Sequence, residues 1–597
     1  MKMSNDLLCL RLRPLTSDNG INTSVSTGTE SALQYVLLWA SPIHPVNDFM
    51  FNLCCKRIII LSCILTAIMA SAVFALNLDN KSSDTLTGAL QEQITRQNDI
   101  TRTLTLDWSS IESFYSERNY APVWVGHSGP NTRASLLRQT IHVADEEGLD
   151  PEDYHVNAIE QLWHKQSVAD LAALDVLLTD GFFRYVLDVR MGRVSPIDVD
   201  PQWHIAAPEI NMVTMLRQAL KAKDFEAALR QLPPSHSGYR RLRDALARYR
   251  QIAQTGDWPI LTRNVTLRVD MRHAQVARLR ARLIAEDSLP ETKARDDQHF
   301  DQELEYAVER FQVRHGLKMD GVVGPTTRAA LNVPVSERIA QIKLNMERWR
   351  WLPRTLGQRY LIVNTAAYEL TAIDDEQIRF TMWVVIGKEE RQTPVIGGSM
   401  HTVVFNPYWT VPIKLVFEDI IPAQLRHRHY LKSKGIRVFA NLAKNIEVDP
   451  DKLDWRSFQR DSFPYVLRQD PGPDNPLGRI KFLFNNEFEI YLHDTPKRRL
   501  FDKKIRTFSA GCIRVEAPLQ LAQFLLADNQ HWDATAIRQA IDSGQTRDVK
   551  VVKSVPIYLL YLTSWVGPDG AVYFYRDVYA RDEPLQHCVS NEEPNPQ

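Results

Sequence analysis

The chain has 597 residues, room for three or four domains of about 150 residues each. Apolar residues make up 44% and charged residues 24%, ordinary proportions for globular protein, which excludes wholesale disorder. Lys and Arg total 71 against 72 Asp and Glu, and there is no phosphate-cradling glycine loop, so composition and motifs argue against nucleic-acid or nucleotide binding.

Residues 1–49 are polar and lack an apolar period. Lys56-Arg57, an apolar run from Ile58 to Ala75 and the small residues around Val73-Phe74-Ala75 then form the pattern of a secretory signal. The run is also close to the minimum length of a membrane span. Residues 1–75 are therefore an N-terminal extension and signal peptide, cleaved after Ala75, or a retained signal anchor; Met50 is an alternative start. Of the six cysteines, Cys9, Cys54, Cys55 and Cys63 precede that cut, leaving Cys512 and Cys588. Two cysteines make no disulfide framework, although a Cys512–Cys588 bond stays open.

Residues 76–107 are polar and are expected to be a tether. From Trp108 to about residue 270 the apolar spacing predicts a mainly helical domain, with helices over Leu136–Ala144, Leu171–Val189, Leu216–Leu229 and Tyr239–Ala253. Arg190-Met191-Gly192-Arg193 makes a basic turn within it. Residues 271–333 carry two helical stripes, Val276, Leu279, Leu283, Ile284 and then Phe300, Leu304, Ala307, Val308, Phe311, with glycine-punctuated turns and a third short helix. The run from Ala307 through Phe311-Gln312, Gly316-Leu317 and Asp320-Gly321-Val322-Val323-Gly324-Pro325 to Leu331 resembles the three-helix peptidoglycan-binding domain family. That resemblance implies a wall-docking module, or a copy that kept the fold and lost the binding. Residues 334–357 hold a helix with Ile339, Ile342, Met346 and Trp349 on one face, expected to pack back on the helical domain and so make the small domain an insertion.

From residue 358 to 580 strands dominate: Tyr360–Asn364, Phe380–Ile386 and His401–Phe405 are β-rich. The pattern lapses over 413–475, a charged, turn-rich stretch that is either a capping insert acting as a lid or a peripheral insertion. His427 and His429 stand two apart without carboxylate or thiolate company, too little for a metal site, and no metal or other cofactor is expected. Residues 581–597 are a polar tail.

The chemistry concentrates near the end. Glu487-Phe488-Glu489-Ile490-Tyr491-Leu492-His493 alternates, which predicts a strand with Phe488, Ile490 and Leu492 in a core and Tyr491 and His493 on the opposite face. Ser509-Ala510-Gly511-Cys512-Ile513-Arg514 is a small-residue turn holding a cysteine, where successive N–H groups can face an oxyanion. A helix opening at Pro518, together with Arg514, is expected to favour a thiolate. A histidine that precedes the cysteine, and on a strand, excludes the papain-like order.

These residues resemble the L,D-transpeptidase family with its YkuD-type catalytic domain. Phe405-Asn406-Pro407-Tyr408-Trp409, Gln469-Asp470-Pro471-Gly472-Pro473-Asp474-Asn475 and Tyr491-Leu492-His493-Asp494-Thr495-Pro496 are similar to its large, YcbB-like periplasmic subgroup. The resemblance implies a multidomain α+β protein: a helical scaffold domain, a small three-helix peptidoglycan-binding domain and a mainly-β YkuD-type catalytic domain with a capping insertion. It implies Cys512 as nucleophile, His493 as general acid and base, and the Gly511 and Cys512 amides as oxyanion donors. Ser509 and Arg514 would hold the turn or a substrate carboxylate, Tyr491 would line the pocket and Arg479 is a further pocket candidate. The implied reaction releases D-alanine from a tetrapeptide stem, forms a thioester and yields a 3→3 cross-link between diaminopimelate residues. Partners implied are peptidoglycan stem peptides and glycan, with other cell-wall synthases as candidates; the membrane enters only through an uncleaved anchor, and carbapenems are expected to acylate Cys512. Water as acceptor would make an L,D-carboxypeptidase of the same acyl-enzyme, and a vestigial site would make a wall-binding scaffold.

Overall fold

A computed structural model describes residues 85–97, 104–262, 264–286 and 296–590. The expected signal and its cysteines lie outside the described residues. Among the described residues no helix is long and apolar enough to cross a membrane.

The N-terminal helical region is organised around Val168–Met191, which is buried over most of its length. Helices Trp108–Ser116, Thr132–His142, Val156–Leu162, Met212–Lys221 and Phe225–Arg230 surround it and share its core. The stretch expected as one helix over Leu216–Leu229 is two, because Asp224 caps a new N-terminus through the Ala227 N–H. A short hairpin, β1 (Val125–Gly126) and β2 (Gly129–Pro130), docks on the long helix. The N–H groups of Val123, Trp124 and Val125 donate to the buried Asp175 carboxylate. The tether expectation for 76–107 is corrected in part: residues 85–96 are helical, and Leu86, Leu90 and Ile94 are buried in this core. Three apolar residues at helical spacing bury a stripe that the polar composition concealed.

Helices Ala274–Ala285, Gln302–Arg314 and Pro325–Leu331 form a separate small core of Val276, Leu279, Leu283, Phe300, Leu304, Val308, Phe311 and Leu331. Buried Gln312 ties its glycine turn, accepting from the Asp320 and Gly321 N–H groups at 2.9 and 3.0 Å and donating to Val322 O at 3.0 Å. The chain then returns in helix Val335–Arg350, which packs on helix Ser237–Gln254 through Ile342, Met346 and Trp349 against Tyr239, Leu242 and Leu246. Gly238 makes room for that contact: a Cβ there would meet the Trp349 ring at 2.3 Å. Both helices belong to one core with the sheet below, as do Val194, Val199, Trp203 and Ile205 of the helical region.

The β domain is one nine-stranded sheet plus two smaller ones. Its strands in chain order are β3 (Arg359–Asn364), β4 (Glu369–Asp374), β5 (Gln377–Gly387), β6 (Ile396–Phe405), β7 (Trp409–Thr410), β8 (Ile436–Asn441), β9 (Ile446–Val448), β10 (Val466–Gln469), β11 (Ile480–Phe484), β12 (Leu492–His493), β13 (Thr507–Ser509), β14 (Ile513–Val515), β15 (Arg547–Leu560), β16 (Ser564–Val566) and β17 (Val572–Phe574). The main order is β13-β5-β14-β12-β11-β6-β15-β3-β4, and β5 pairs also with β4, so the sheet closes on itself. Helices Pro518–Leu526 and Ala534–Asp542 pack on it. The expected polar tail contains helix Asp582–Ser590, whose Leu585 is buried in the same core.

The cap has its own architecture. Strands β7-β10-β8-β9 form a four-stranded sheet over Val411, Val416, Ile420, Leu431, Ile436, Val438, Trp455 and Leu467. It begins at Trp409, four residues before the expected start at 413. Its two hinges are the motif segments already noted. Asn406, at φ +46°, donates to the carbonyls of Ala540, Ile541 and Gln545 at 3.0, 3.1 and 3.2 Å. Asn475 donates to Pro407 O at 3.0 Å and Asp470 O at 3.1 Å, tying the exit hinge to the entry hinge. Between them, Arg391 of the catalytic domain grips Asp419 of the cap at 2.8 and 2.9 Å. Replacing Asn406 by Ala strands three carbonyls and puts alanine in a left-handed conformation. Asn406→Ala is expected to destabilise the catalytic domain by about 2 kcal/mol, read as a lower urea midpoint at unchanged slope.

Candidate active site

The site follows from register. Strand β12 lies between β11 and β14, antiparallel to the first (Lys481 opposite His493) and parallel to the second (Leu492 opposite Ile513, His493 opposite Arg514). Leu492 and Ile513 are fully buried in the core. Side chains alternate along a strand, so Tyr491, His493, Cys512, Arg514 and Lys481 share the other face. Two segments nineteen residues apart in sequence thus present imidazole and thiol to one space.

The expected strand over 487–493 is not formed. Only Leu492–His493 is strand, and residues 485–490 make a turn built on Asn486. Its Oδ1 accepts from the Phe488 and Ile490 N–H groups at 3.1 and 3.0 Å, and its Nδ2 donates to Phe484 O and Ile490 O at 3.0 and 2.8 Å. Such a side chain offers the backbone an alternative to the ladder. Phe488 is consequently exposed rather than in a core, and packs in a tilted arrangement on His204 of the helical region at 4.4 Å between centroids. Glu489, at φ +54°, brings its carbonyl to 4.0 Å from Cys512 Sγ.

The cysteine turn crosses between two parts of β5: β13 pairs with Ile386–Gly387 and β14 with Val384–Val385. Gly511 has φ +117°, a conformation that favours glycine. Ser509 Oγ accepts from the Gly511 N–H at 3.1 Å and donates to Cys512 O at 2.5 Å. Beneath it, buried Thr393 donates to Gly511 O at 2.8 Å and accepts from the Gly387 N–H at 3.0 Å. Tyr579 donates to Gly387 O at 2.7 Å. Ser509 therefore holds the turn. The Gly511 N–H, expected to face an oxyanion, is engaged by that hydroxyl, whereas the Cys512 N–H has no hydrogen-bond partner among the described residues.

His493 is buried, and its Nδ1–H donates to the Asp494 carbonyl at 2.5 Å. A carbonyl only accepts, so the proton sits on Nδ1 and the lone pair on Nε2. Burial first, and then the Arg514 charge, lowers its pKa to about 3. The half-buried Cys512 is a free thiol, which rules out the Cys512–Cys588 bond. Burial pushes this thiol up; hydrogen bonds from the Tyr491 backbone and side chain and the charges of Lys481 and Arg514 pull it partly back. The expected resting thiolate is thus corrected to a neutral thiol beside a neutral imidazole. Desolvation outweighs the cations, and β14 separates the sulfur from the helix that opens at Pro518. Tyr491 lies 5.7 Å from the His493 ring. Arg514 is half-buried with its Nε unpartnered. Arg479 is exposed just before β11; its guanidinium donates to Asn406 Oδ1 at 3.4 Å and its backbone N–H to Asp494 Oδ2 at 2.9 Å. Sequence reasoning missed Lys481 and Thr393; the one lysine amid Ile480, Phe482 and Phe484 was the available signal for the first. His429, from the weak histidine pair, bonds Asp451 at 3.1 Å.

Two outcomes follow. Gly511→Ala forces a strained backbone of about 1–3 kcal/mol onto the turn and is expected to slow Cys512 alkylation at least tenfold, with the thermal midpoint shifted by only a few degrees. In the parent protein the rate of Cys512 alkylation by iodoacetamide is expected to climb with pH past neutrality, with no inflection from an imidazole between pH 5 and 8, because His493 is already neutral there.

Comparison with known proteins agrees with this organisation. Family models match a scaffold domain over residues 109–246, a "Putative peptidoglycan binding domain" over 272–331 and an L,D-transpeptidase catalytic domain over 358–551. A protein of Haemophilus influenzae named "Putative L,D-transpeptidase" is 34% identical over 251 residues, 42% of this chain and 50% of that one. The chain thus matches about half the length of this curated relative. An L,D-transpeptidase crystal structure from Xylanimonas cellulosilytica aligns with 16% identity and a TM-score of 0.16, over 50% of this chain and 99% of that one. One from Stackebrandtia nassauensis aligns with 11% identity and a TM-score of 0.20, over 51% and 96%. Superpositions that loose carry no argument. On the family matches, this chain joins a scaffold domain and a peptidoglycan-binding domain to a catalytic domain of the YkuD-type L,D-transpeptidase family.

Proposed function

We propose that the protein is an exported L,D-transpeptidase that forms 3→3 cross-links between diaminopimelate residues of peptidoglycan. The observation that carries this reading is the pairing of β12 with β14, which sets a neutral imidazole with its Nε2 lone pair on the face that holds a half-buried thiol in a glycine turn. As Cys512 Sγ attacks the carbonyl of the third residue of a tetrapeptide stem, His493 Nε2 takes the thiol proton. Proton transfer accompanies attack because neither group is charged at rest. The oxyanion faces the Cys512 N–H, joined by the Gly511 N–H if Ser509 Oγ releases it. The imidazolium then protonates the departing D-alanine amine, leaving a thioester. The side-chain amine of a diaminopimelate on a neighbouring stem attacks, His493 takes its proton, and sulfur leaves as the new amide forms and is reprotonated.

Arg514 and Arg479 are the candidates for stem carboxylates, and Tyr491 lines the pocket. The domain at 271–333 docks on the wall, and the chain divides at about residues 271, 334 and 358. The site of action is the periplasm, no cofactor takes part, and carbapenems acylate Cys512. Incubating the protein with tetrapeptide muropeptides and weighing the products tests the reading. Dimers lighter by one D-alanine are expected, and none with Cys512→Ala. Tripeptide monomers alone would make the enzyme a carboxypeptidase, and unchanged substrate would leave a wall-binding scaffold.

A further inference from the structure

Strand β11 carries one cation between buried apolar neighbours. Lys481 follows Ile480 and precedes Phe482, both in the core, and its own side chain turns to the face of His493, its register partner. The ammonium Nζ lies 3.8 Å from the centroid of the Tyr491 ring. Tyr491 in turn directs its backbone N–H and its hydroxyl at Cys512. Burial lowers the ammonium pKa, and the charges that oppose this are Cys512, Asp548 and Glu489. Lys481 has no ion pair among the described residues.

A half-buried ammonium without a counter-ion costs stability that a methionine of similar shape would not. A cation on the ring face draws electron density from the phenol and makes its hydroxyl a stronger donor. The ammonium charge and the Tyr491 hydroxyl both act on whatever charge the sulfur carries. We propose that Lys481 is a positioning residue for the Cys512 chemistry: seated on Tyr491, it supports the negative sulfur formed when the thiol proton passes to His493, and again when the thioester is cleaved. The proposal rests on Cys512 being the nucleophile. Lys481 keeps its proton throughout; the only proton that moves goes from Sγ to Nε2. The other groups facing the sulfur are Arg514 on β14, His493 and Tyr491 at β12, and Glu489 in the overlying turn; Asp548 on β15 faces Lys481 across Val404.

The test is the pH dependence of Cys512 alkylation by iodoacetamide in the full chain, followed by intact mass from pH 5 to 10. It compares the parent protein with Lys481→Met, Lys481→Gln and Lys481→Arg. In the Met and Gln variants modification at pH 7 is expected to be roughly tenfold slower, a displacement of the rising limb by about one pH unit, while Arg stays within about threefold of the parent. Thermal midpoints identify a variant that fails to fold, and the other neutral variant then carries the comparison. Profiles for Met and Gln that overlie the parent would overturn the inference, as would an Arg variant impaired as much as Met. A parent protein that gains no mass at Cys512 would overturn the nucleophile assignment and this inference together.

Discussion

The parallel pairing of β12 with β14 is the contact on which the site depends. It is short, two residues on one side and three on the other, yet it decides that His493 and Arg514 lie opposite one another and that Cys512 falls on their face. A slip of one residue would turn the imidazole into the core and Leu492 outward. The register is held from both sides. Leu492 and Ile513 are buried without exposed surface, and the turn before β14 is clamped by Ser509 above and Thr393 below. Thr393 accepts from the Gly387 N–H and donates its own N–H to the Tyr579 hydroxyl, which donates to Gly387 O, so the C-terminal segment supports the cysteine turn.

Burial is the second determinant. The same desolvation that keeps the imidazole neutral also raises the thiol. Cations near the sulfur reduce that penalty without removing it. Around this uncharged resting pair stand the cations Arg514 and Lys481, with Asp548 and Glu489 acting on Lys481. The Asp494 carbonyl holds Nδ1–H and so leaves the Nε2 lone pair of the neutral imidazole free.

The cap is joined to this centre by two asparagines and one arginine. Asn406 and Asn475 fasten the points where the chain leaves and re-enters the sheet. Arg391, which grips the cap at Glu418 and Asp419, stands two residues before Thr393. A displacement of the cap therefore has a short covalent path to the residue that clamps Gly511. The overlying turn at 485–490 is braced independently, by His204 of the helical region against Phe488.

Much of this was legible in the residues alone. Helical stripes in the small domain, the β-rich segments after residue 358, and a histidine followed by a glycine–cysteine turn are local patterns, and local pattern is what sequence records directly. Side-chain period placed Tyr491 and His493 on one face even though the strand proved only two residues long. What the tertiary structure decided were the non-local matters. The helix at 85–96 and Leu585 looked polar until neighbouring elements supplied cores for their few apolar residues. Asn486 turned an alternating sequence into a loop, because one amide can satisfy four backbone groups that the ladder would otherwise claim. Lys481 and Thr393 joined the site only when strands far apart in the chain were laid side by side. The charge state of Cys512 depended on how much water the assembled fold excludes, a property of packing that no spacing of residues encodes.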